Sequence, residues 1–293
     1  MMVEPLPAVG QTILPAYLRT WRRVSRHKAG LVGLVIVLLI ITAAFLAGRL
    51  TPYRPDTGDM AENLLPPGSP GHVLGTDQLG RDVLSRILYG SRVSLAIGVY
   101  TVVVAGALGT MIGLVAGFRG GWFDTIAMRL VDVQLSFPFI LLALVISAIL
   151  GGGFRNLILT LVISTWVMYA RLVRGEVLAI KQKEFVEAAR AGGAPDWRII
   201  LRHVLPNVST PIIIVSSLQI AQLIVAEAAI SFLGFGVQPP DVSWGLMLAD
   251  GRDYMMNAWW LAAFPGVALA VTALGINLIG DWLRDVWDPR LRI

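Results

Sequence analysis

Few residues in this 293-residue chain stand in patterns that do covalent chemistry. His27, His72 and His203 lie far apart, and there is no His-Glu-x-x-His pair. Cysteine is absent, which removes disulfides and thiolate metal sites, and no metal ligand set is expected. No G-x-x-x-x-G-K-[ST] phosphate loop occurs, so the chain is expected to bind neither ATP nor another cofactor itself, and no catalytic residue is assigned. What remains is a set of polar residues inside apolar sequence. Glu227 is the only acid deep within such a stretch, preceded by Ser216, Ser217, Gln219 and Gln222. A carboxylate held in a membrane is costly and is either paired or faces water. Two readings of Glu227 follow: it lines a pore and steers a cationic group, or it pairs with a residue of another helix. The serines and glutamines are weaker pore-lining candidates, and Asn277 can hydrogen-bond between helices.

A second patterned segment is basic rather than apolar. Lys183 to Arg198 reads KEFVEAARAGGAPDWR. Glu184 to Ala191 favours a helix, and Gly192-Gly193 permits the chain to reverse. Pro195 suits the first turn of another helix, with Asp196 favourable near its N-terminus. Apolar residues recur at Trp197, Ile200 and Leu201. The spacing predicts a helix–turn–helix elbow, a shape suited to serve as a knob for a soluble partner. A plain connection needs fewer residues.

The elements that must position these residues follow from composition. Hydrophobic residues make up 56% and charged residues 15%, with mean hydropathy +0.70. Soluble domains are about 25% charged, so an ordinary soluble enzyme and a disordered tail are both excluded. Six uncharged runs stand out: 29–48, 93–118, 133–154, 156–170, 203–226 and 254–280. A bilayer core requires about 20 apolar residues per helix. Only 156–170 falls short, and its flanking Arg155 and Arg171 can snorkel or lie on a longer helix. The fold class expected is all-α, a polytopic membrane protein of six transmembrane helices.

The net charge of +5 would suggest nucleic acid in a soluble protein. Here its sidedness matters more. Arg19, Arg22, Arg23, Arg26 and Lys28 precede the first run, so the N-terminus is expected to be cytoplasmic. Alternating six spans from there puts 17 of the 24 Lys and Arg inside, including seven in 171–206, and places both termini in the cytoplasm. A cleaved signal peptide does not fit, because the basic region and apolar core are both too long. Membrane lipid is the expected surround, and no nucleic-acid partner is expected.

The organisation expected is a cytoplasmic segment 1–28 with an interfacial helix around Ala16–Arg26, a first span 29–48, and an external loop 49–90. A five-helix core 91–281 includes the loop 171–206, and a tail 282–293 follows. In the external loop, Pro52, Pro55, Pro66, Pro67 and Pro70 oppose regular structure. Thr76 or Asp77 is then expected to cap a separate amphipathic helix carrying Leu79, Val83, Leu84, Ile87 and Leu88, with Asp82 and Arg86 four apart. Ser136-Phe137-Pro138 is expected to kink the third span. Gly106, Gly109, Gly113 and Gly117 are spaced for close helix packing. In the external loop Gly234–Gly251, Pro239-Pro240 adds stiffness and Trp244 an apolar anchor. Asp281, Arg284, Asp285 and Asp288 are spaced for local ion pairs at the inner interface.

The elbow carries a resemblance. Glu187-Ala188-Ala189, three residues, Gly193, nine residues and His203-Val204-Leu205-Pro206 resembles the EAA loop of ABC importer permeases, with His203 where the general pattern has Ile. The run Glu187 to Asn207 is similar to the dipeptide/oligopeptide/nickel subfamily. Three further segments resemble its C-type permease subunit: Leu74 to Arg86, Glu227 to Pro240, and Asn277 to Asp285 followed by Asp288-Pro289. Arg22 to Leu34 is similar to the subfamily's basic entry into its first span.

This resemblance implies a type I ABC importer permease in the inner membrane of a prokaryote. Its implied partners are a B-type permease, two cytoplasmic ATPases that bind ATP and Mg, and an external substrate-binding protein. Glu187, Ala188, Ala189, Arg190, Gly193, Asp196, Trp197 and Arg198 are the implied ATPase contact. Ala188 and Ala189 are small enough to enter a groove, Glu187 and Arg190 or Arg198 can pair at its rim, and Gly193 allows the bend. The cargo implied is a di- or oligopeptide, with a nickel chelate or another small solute as the alternative. The rival from another class is an ion-gradient-driven secondary transporter, which requires inverted repeats, broken helices or several intramembrane ionisable groups.

Overall fold

A computed structural model describes residues 28–287. The expected 1–28 segment, its interfacial helix and the ion pair to Asp288 lie outside or at the edge of these residues. Among the described residues the chain is helical throughout, apart from loops and two isolated bridges, Ser69–His72 and Thr76–Asp82. Five helices are long and apolar enough to cross a membrane, and a sixth candidate is a bent pair.

The first helix, α1 (Lys28–Leu50), contains the uncharged run 29–48. It lies on the last helix because Gly30 and Gly33 leave room for Trp282 and for the Gly275 backbone. The second helix, α2 (Val83–Arg119), runs for 37 residues. The separate amphipathic helix expected before it does not form. Asp82, not Thr76 or Asp77, is the N-cap, and its Oδ2 accepts from the Ser85 N–H at 2.7 Å. Thr76 and Asp77 direct their side chains into the loop instead, to the N–H groups of Leu65, Leu79 and Arg81. Val83 to Leu88 are therefore the first turns of the span itself.

The third span is broken rather than kinked. Helices α3 (Gly121–Leu135) and α4 (Phe139–Leu150) meet at 95° across Ser136-Phe137-Pro138. Pro138 lacks an N–H, and the Ser136 hydroxyl bonds back to Val133 O at 2.6 Å, ending α3.

Helix α5 (Phe154–Ile180) resolves the short run 156–170. It continues for nine residues past Arg171, because Arg171 and Arg174 are carried by Asp132 and Asp124 of α3. The Arg174 pair is bidentate, at 3.1 and 2.7 Å. The loop proper is thus 181–195, shorter than 171–206. Helices α2 and α5 pack backbone to backbone along the Gly106, Gly109, Gly113, Gly117 row. A Cβ at Gly113 would stand 2.6 Å from Ala170 O, and one at Gly117 would stand 2.8 Å from the Val177 side chain.

Helices α6 (Glu184–Ala191) and α7 (Asp196–Ile199) form the elbow. A π segment (Ile200–Val204) then leads without a break into α8 (Leu205–Phe232). The expected loop Gly234–Gly251 is half helix: Ser243 caps α9 (Trp244–Gly251). The last helix, α10 (Trp260–Trp287), continues six residues into the segment expected as a tail. The bundle has two distinct ends. The elbow end carries Leu114, Phe118, Val173 and Val177 packed against Val186, Ile199 and Val204. The opposite, capped end gathers Val83, Ile224, Trp244, Trp260 and Leu261 under the 51–82 loop.

Candidate functional site

The elbow is two-faced. Val186, Ile199 and Val204 are buried against α2 and α5, each worth about 1.5–3 kcal/mol when removed from water. The opposite face exposes Glu187, Ala188, Arg190, Gly193, Asp196, Trp197 and Arg198, with Ala189 half-buried. Trp197 is 61% exposed on this face. Gly193 has φ +77, the left-handed region that favours glycine, and its Cβ direction is empty. Two polar contacts add to this apolar seat on α2: Lys181 Nζ donates to Gly117 O at 2.9 Å, and the Arg190 guanidinium stands 5.6 Å from the Phe118 ring. The rim pairs sketched for Glu187 do not form within the chain. Arg190 lies on Phe118 and Arg198 on Trp197.

The mid-bundle polar residues separate into two sites. Gln219 and Gln222 line a cavity of about 360 Å³ beside the break in the third span, together with Gln134, Phe137, Phe139, Ser164, Thr165 and Met168. Of these, Ser164, Thr165, Met168, Gln219 and Gln222 sit about halfway along α5 and α8. Gln219 donates to Met168 Sδ at 3.1 Å, and Gln134 is fixed by Ile163 O and Trp166 Nε1. Ser216 lies one turn away, 3.2 Å from the Tyr169 hydroxyl, and does not line the cavity. Ser217 bonds to Ile214 O of its own helix. Asn277 is exposed on α10 and joins neither group.

Glu227 is fully buried near the capped end. Its Oε1 accepts from Ser231 and Ser243 at 2.8 Å each, and its Oε2 accepts from Ser94 at 3.1 Å. Each serine oxygen in turn accepts a backbone N–H, from Val237, Leu246 and Trp244 respectively. One carboxyl thus organises α2, α8, the loop after it and α9. Within the chain it faces helices, not the cavity.

Sequence reasoning missed the network beneath the capped end. Arg86 is buried between Asp77 and Asp250, with Arg81 on the same two carboxylates. Asp82 does not pair with Arg86, as the four-residue spacing suggested; it takes His72 Nδ1 at 2.9 Å. His72 Nε2 is 3.2 Å from Glu62. Burial opposes a charge on His72, but hydrogen bonds to Asp82 and Glu62 outweigh it and raise its pKa above the ordinary 6.5. Asp250 is 164 residues from Arg86, so no local spacing could have found that pair.

Comparison with known proteins agrees with this architecture. The family model described as "Binding-protein-dependent transport system inner membrane component" matches residues 109–293. A second, "N-terminal TM domain of oligopeptide transport permease C", matches 17–67. The chain is 42% identical over 292 residues to the glutathione transport system permease protein GsiD of Pectobacterium atrosepticum, covering 99% of this chain and 97% of that one. It is 38% identical over 289 residues to the dipeptide transport system permease protein DppC of Alkalihalophilus pseudofirmus, covering 99% and 95%. Its fold is similar to an inward-facing form of the MetNI methionine ABC transporter, with TM-score 0.56 and 21% identity over 69% of this chain and 96% of that one. Two-faced elbow, polytopic bundle and near full-length relatives converge, and the chain belongs to the family of binding-protein-dependent transport system inner membrane components.

Proposed function

We propose that this chain is one permease subunit of an ATP-driven importer for peptides, forming half of the pore beside a B-type permease. The exposed face of a rigidly seated elbow carries this reading. ATP and Mg act at two partner ATPases, whose closure reaches the membrane through Ala188, Ala189 and Trp197. An external binding protein delivers cargo to the capped end. Supporting a peptide cargo are the names of the relatives, which transport dipeptides and glutathione. In this reading the chain lies in a prokaryotic inner membrane with the elbow and both termini in the cytoplasm, and the cavity at Gln219 and Gln222 is its share of the route. A chemical cycle of the chain's own is not required: the elbow biases a two-state equilibrium of the pore.

A secondary transporter is the rival that a broken third span would favour. Membership of a binding-protein-dependent family weighs against it.

The test is Gly193→Asp. A Cβ at Gly193 meets nothing within 4 Å, so the fold has room for it. A non-glycine residue at positive φ costs about 1 kcal/mol, and the new charge points from the docking face. The variant is expected to insert normally, hydrolyse ATP in the assembled complex, and lose most uptake in vesicles. Unchanged uptake would sink the assignment of the elbow.

A further inference from the structure

We propose that the outward face of α3 is a seat for anionic phospholipid of the inner leaflet, with headgroup phosphates on Arg119 and Arg129 and Trp122 at headgroup level. This rests on the importer reading, whose topology puts the start of α3 on the cytoplasmic side.

Helix α3 is amphipathic the wrong way round for a helix in water. Its two acids are drawn to α5: Asp124 takes Arg174 through bonds of 3.1 and 2.7 Å, and Asp132 takes Arg171. Ala127 and Val131 are its buried residues. The opposite face carries Trp122, Ile126, Leu130 and Val133 at helical spacing, each more than half exposed. A stripe of this kind turned outward faces hydrocarbon or another protein.

Arg129 is the one charge within that stripe, and it is exposed. An arginine among lipid-facing side chains is costly unless its long stem carries the guanidinium to a phosphate or an acid. Both acids of its own helix are already committed to α5. Gly120 and Gly121, at φ +67 and +68, turn the chain from α2 into α3. Arg119, the exposed last residue of α2, therefore stands at the foot of the same helix. Lys181 Nζ on Gly117 O lies close by and adds to the positive field. Trp122 is 75% exposed at this foot, and an indole is the side chain that the headgroup level favours. A basic foot below an apolar stripe is complementary to a phosphate above an acyl chain.

The residues of the stripe also decide between lipid and a second helix. Helices of this bundle approach one another over glycine: α2 on α5 along the Gly106 to Gly117 row, and α1 on α10 at Gly30, Gly33 and Gly275. The stripe on α3 holds no glycine, alanine or serine, so a neighbouring helix is kept at a distance. Flexible acyl chains fill around large side chains, and their phosphates answer the arginines.

The chain has no cysteine, so Thr125→Cys, at an exposed position between Trp122 and Arg129, gives it one labelling site for a fluorophore. The importer, with cysteine-free partner subunits, is reconstituted in phosphatidylcholine vesicles. Phosphatidylglycerol or phosphatidylcholine carrying a nitroxide high on the acyl chain is titrated in as the quencher. A cation near the membrane surface is worth about fivefold in anionic-lipid binding. With two arginines, phosphatidylglycerol should half-quench the label at a roughly twentyfold lower mole fraction than phosphatidylcholine. Arg129→Gln should cut that preference to about fivefold, and Arg119→Gln/Arg129→Gln to under about twofold. Arg129→Lys keeps the charge and should keep the preference. All these positions are exposed, so folding is not at stake. Equal quenching by the two lipids in the parent, or a preference unchanged in the double variant, overturns the proposal. Little quenching by either lipid means that protein covers the face, and overturns it as well. ATP-dependent uptake is read in the same vesicles: its absence overturns the importer reading, while the lipid seat stands or falls on the quenching.

Discussion

Replacing Glu227 by alanine should be among the most damaging single changes in the bundle, whereas Gln should be well tolerated. The carboxyl accepts three hydroxyl donors at 2.8, 2.8 and 3.1 Å. Removing it orphans three buried hydroxyls, each already committed on its acceptor side to a backbone N–H. An unsatisfied buried group costs about 1–3 kcal/mol, and partial re-bonding of the serines brings the sum to about 3–5 kcal/mol. The glutamine case differs because two donors share one oxygen. With the amide oxygen at the Oε1 position, the Ser231 and Ser243 bonds survive. The amide N–H2 then faces Ser94, which retains a lone pair to accept it, so the net loss should be about 1 kcal/mol. Unfolding of the purified protein, followed by intrinsic tryptophan fluorescence during denaturant titration, reads both numbers. Trp244 is a built-in reporter, since its backbone N–H bonds to Ser94 and its buried indole N–H donates to Ile87 O at 3.0 Å. An alanine variant within about 1 kcal/mol of the parent would refute the hub, as would a glutamine variant as damaging as alanine. The second outcome would mean that the charge, not the acceptor geometry, holds the capped end together.

Three more outcomes follow from the described contacts. His72 has a raised pKa, so the stability it contributes is complete below its ordinary value of 6.5 and is lost as pH rises through the higher folded value. Amide-exchange protection in the 58–82 loop, taken relative to the intrinsic base-catalysed rate at each pH, should therefore fall above that range, and His72→Gln should remove that fall; a pH-independent protection factor in the parent protein refutes it. Gly113→Leu has no room against Ala170 and Val173 and should cost more than about 2 kcal/mol, read as loss of assembled permease in the membrane. Finally, Arg171→Ala should cost under about 1 kcal/mol because both partners are half-exposed, while Arg174→Ala, whose Asp124 is largely buried, should cost more and release α3 to protease.

Much of this fold was legible because membrane helices announce themselves by hydropathy, and the elbow did so through Glu184–Ala191 and Gly193. What stayed hidden depended on distant partners. The charge at Arg171 looked like a span boundary, yet Asp132 lets α5 carry it onward. Asp82 and Arg86 had the spacing of a helix pair, but Asp82 lies one residue before the helix and was drawn to His72. Pro138 signalled a kink, but its sequence alone does not give the 95° turn that exposes the start of α4. At the candidate site, Gln219 and Gln222 were visible as polar residues in an apolar run. Thr165 was not, because a threonine in a helix normally satisfies itself on the preceding turn and only the packed bundle shows that this one does not.

The unbroken helical stretch from Asp196 to Phe232 has a mechanical consequence. In the proposed importer it is a rod gripped near one end by the Glu227 serines and, at the other, seated through Ile199 and Val204 on α2 and α5, where a partner on Trp197 would push it. At about 1.5 Å per residue, the pushed end lies roughly 45 Å from the pivot and the cavity glutamines roughly 10 Å from it. A tilt about that pivot is geared down about four- to fivefold between the two. A displacement of several ångströms delivered at the elbow arrives beside Gln222 as about one, enough to break or make a hydrogen bond and too little to tear the bundle open.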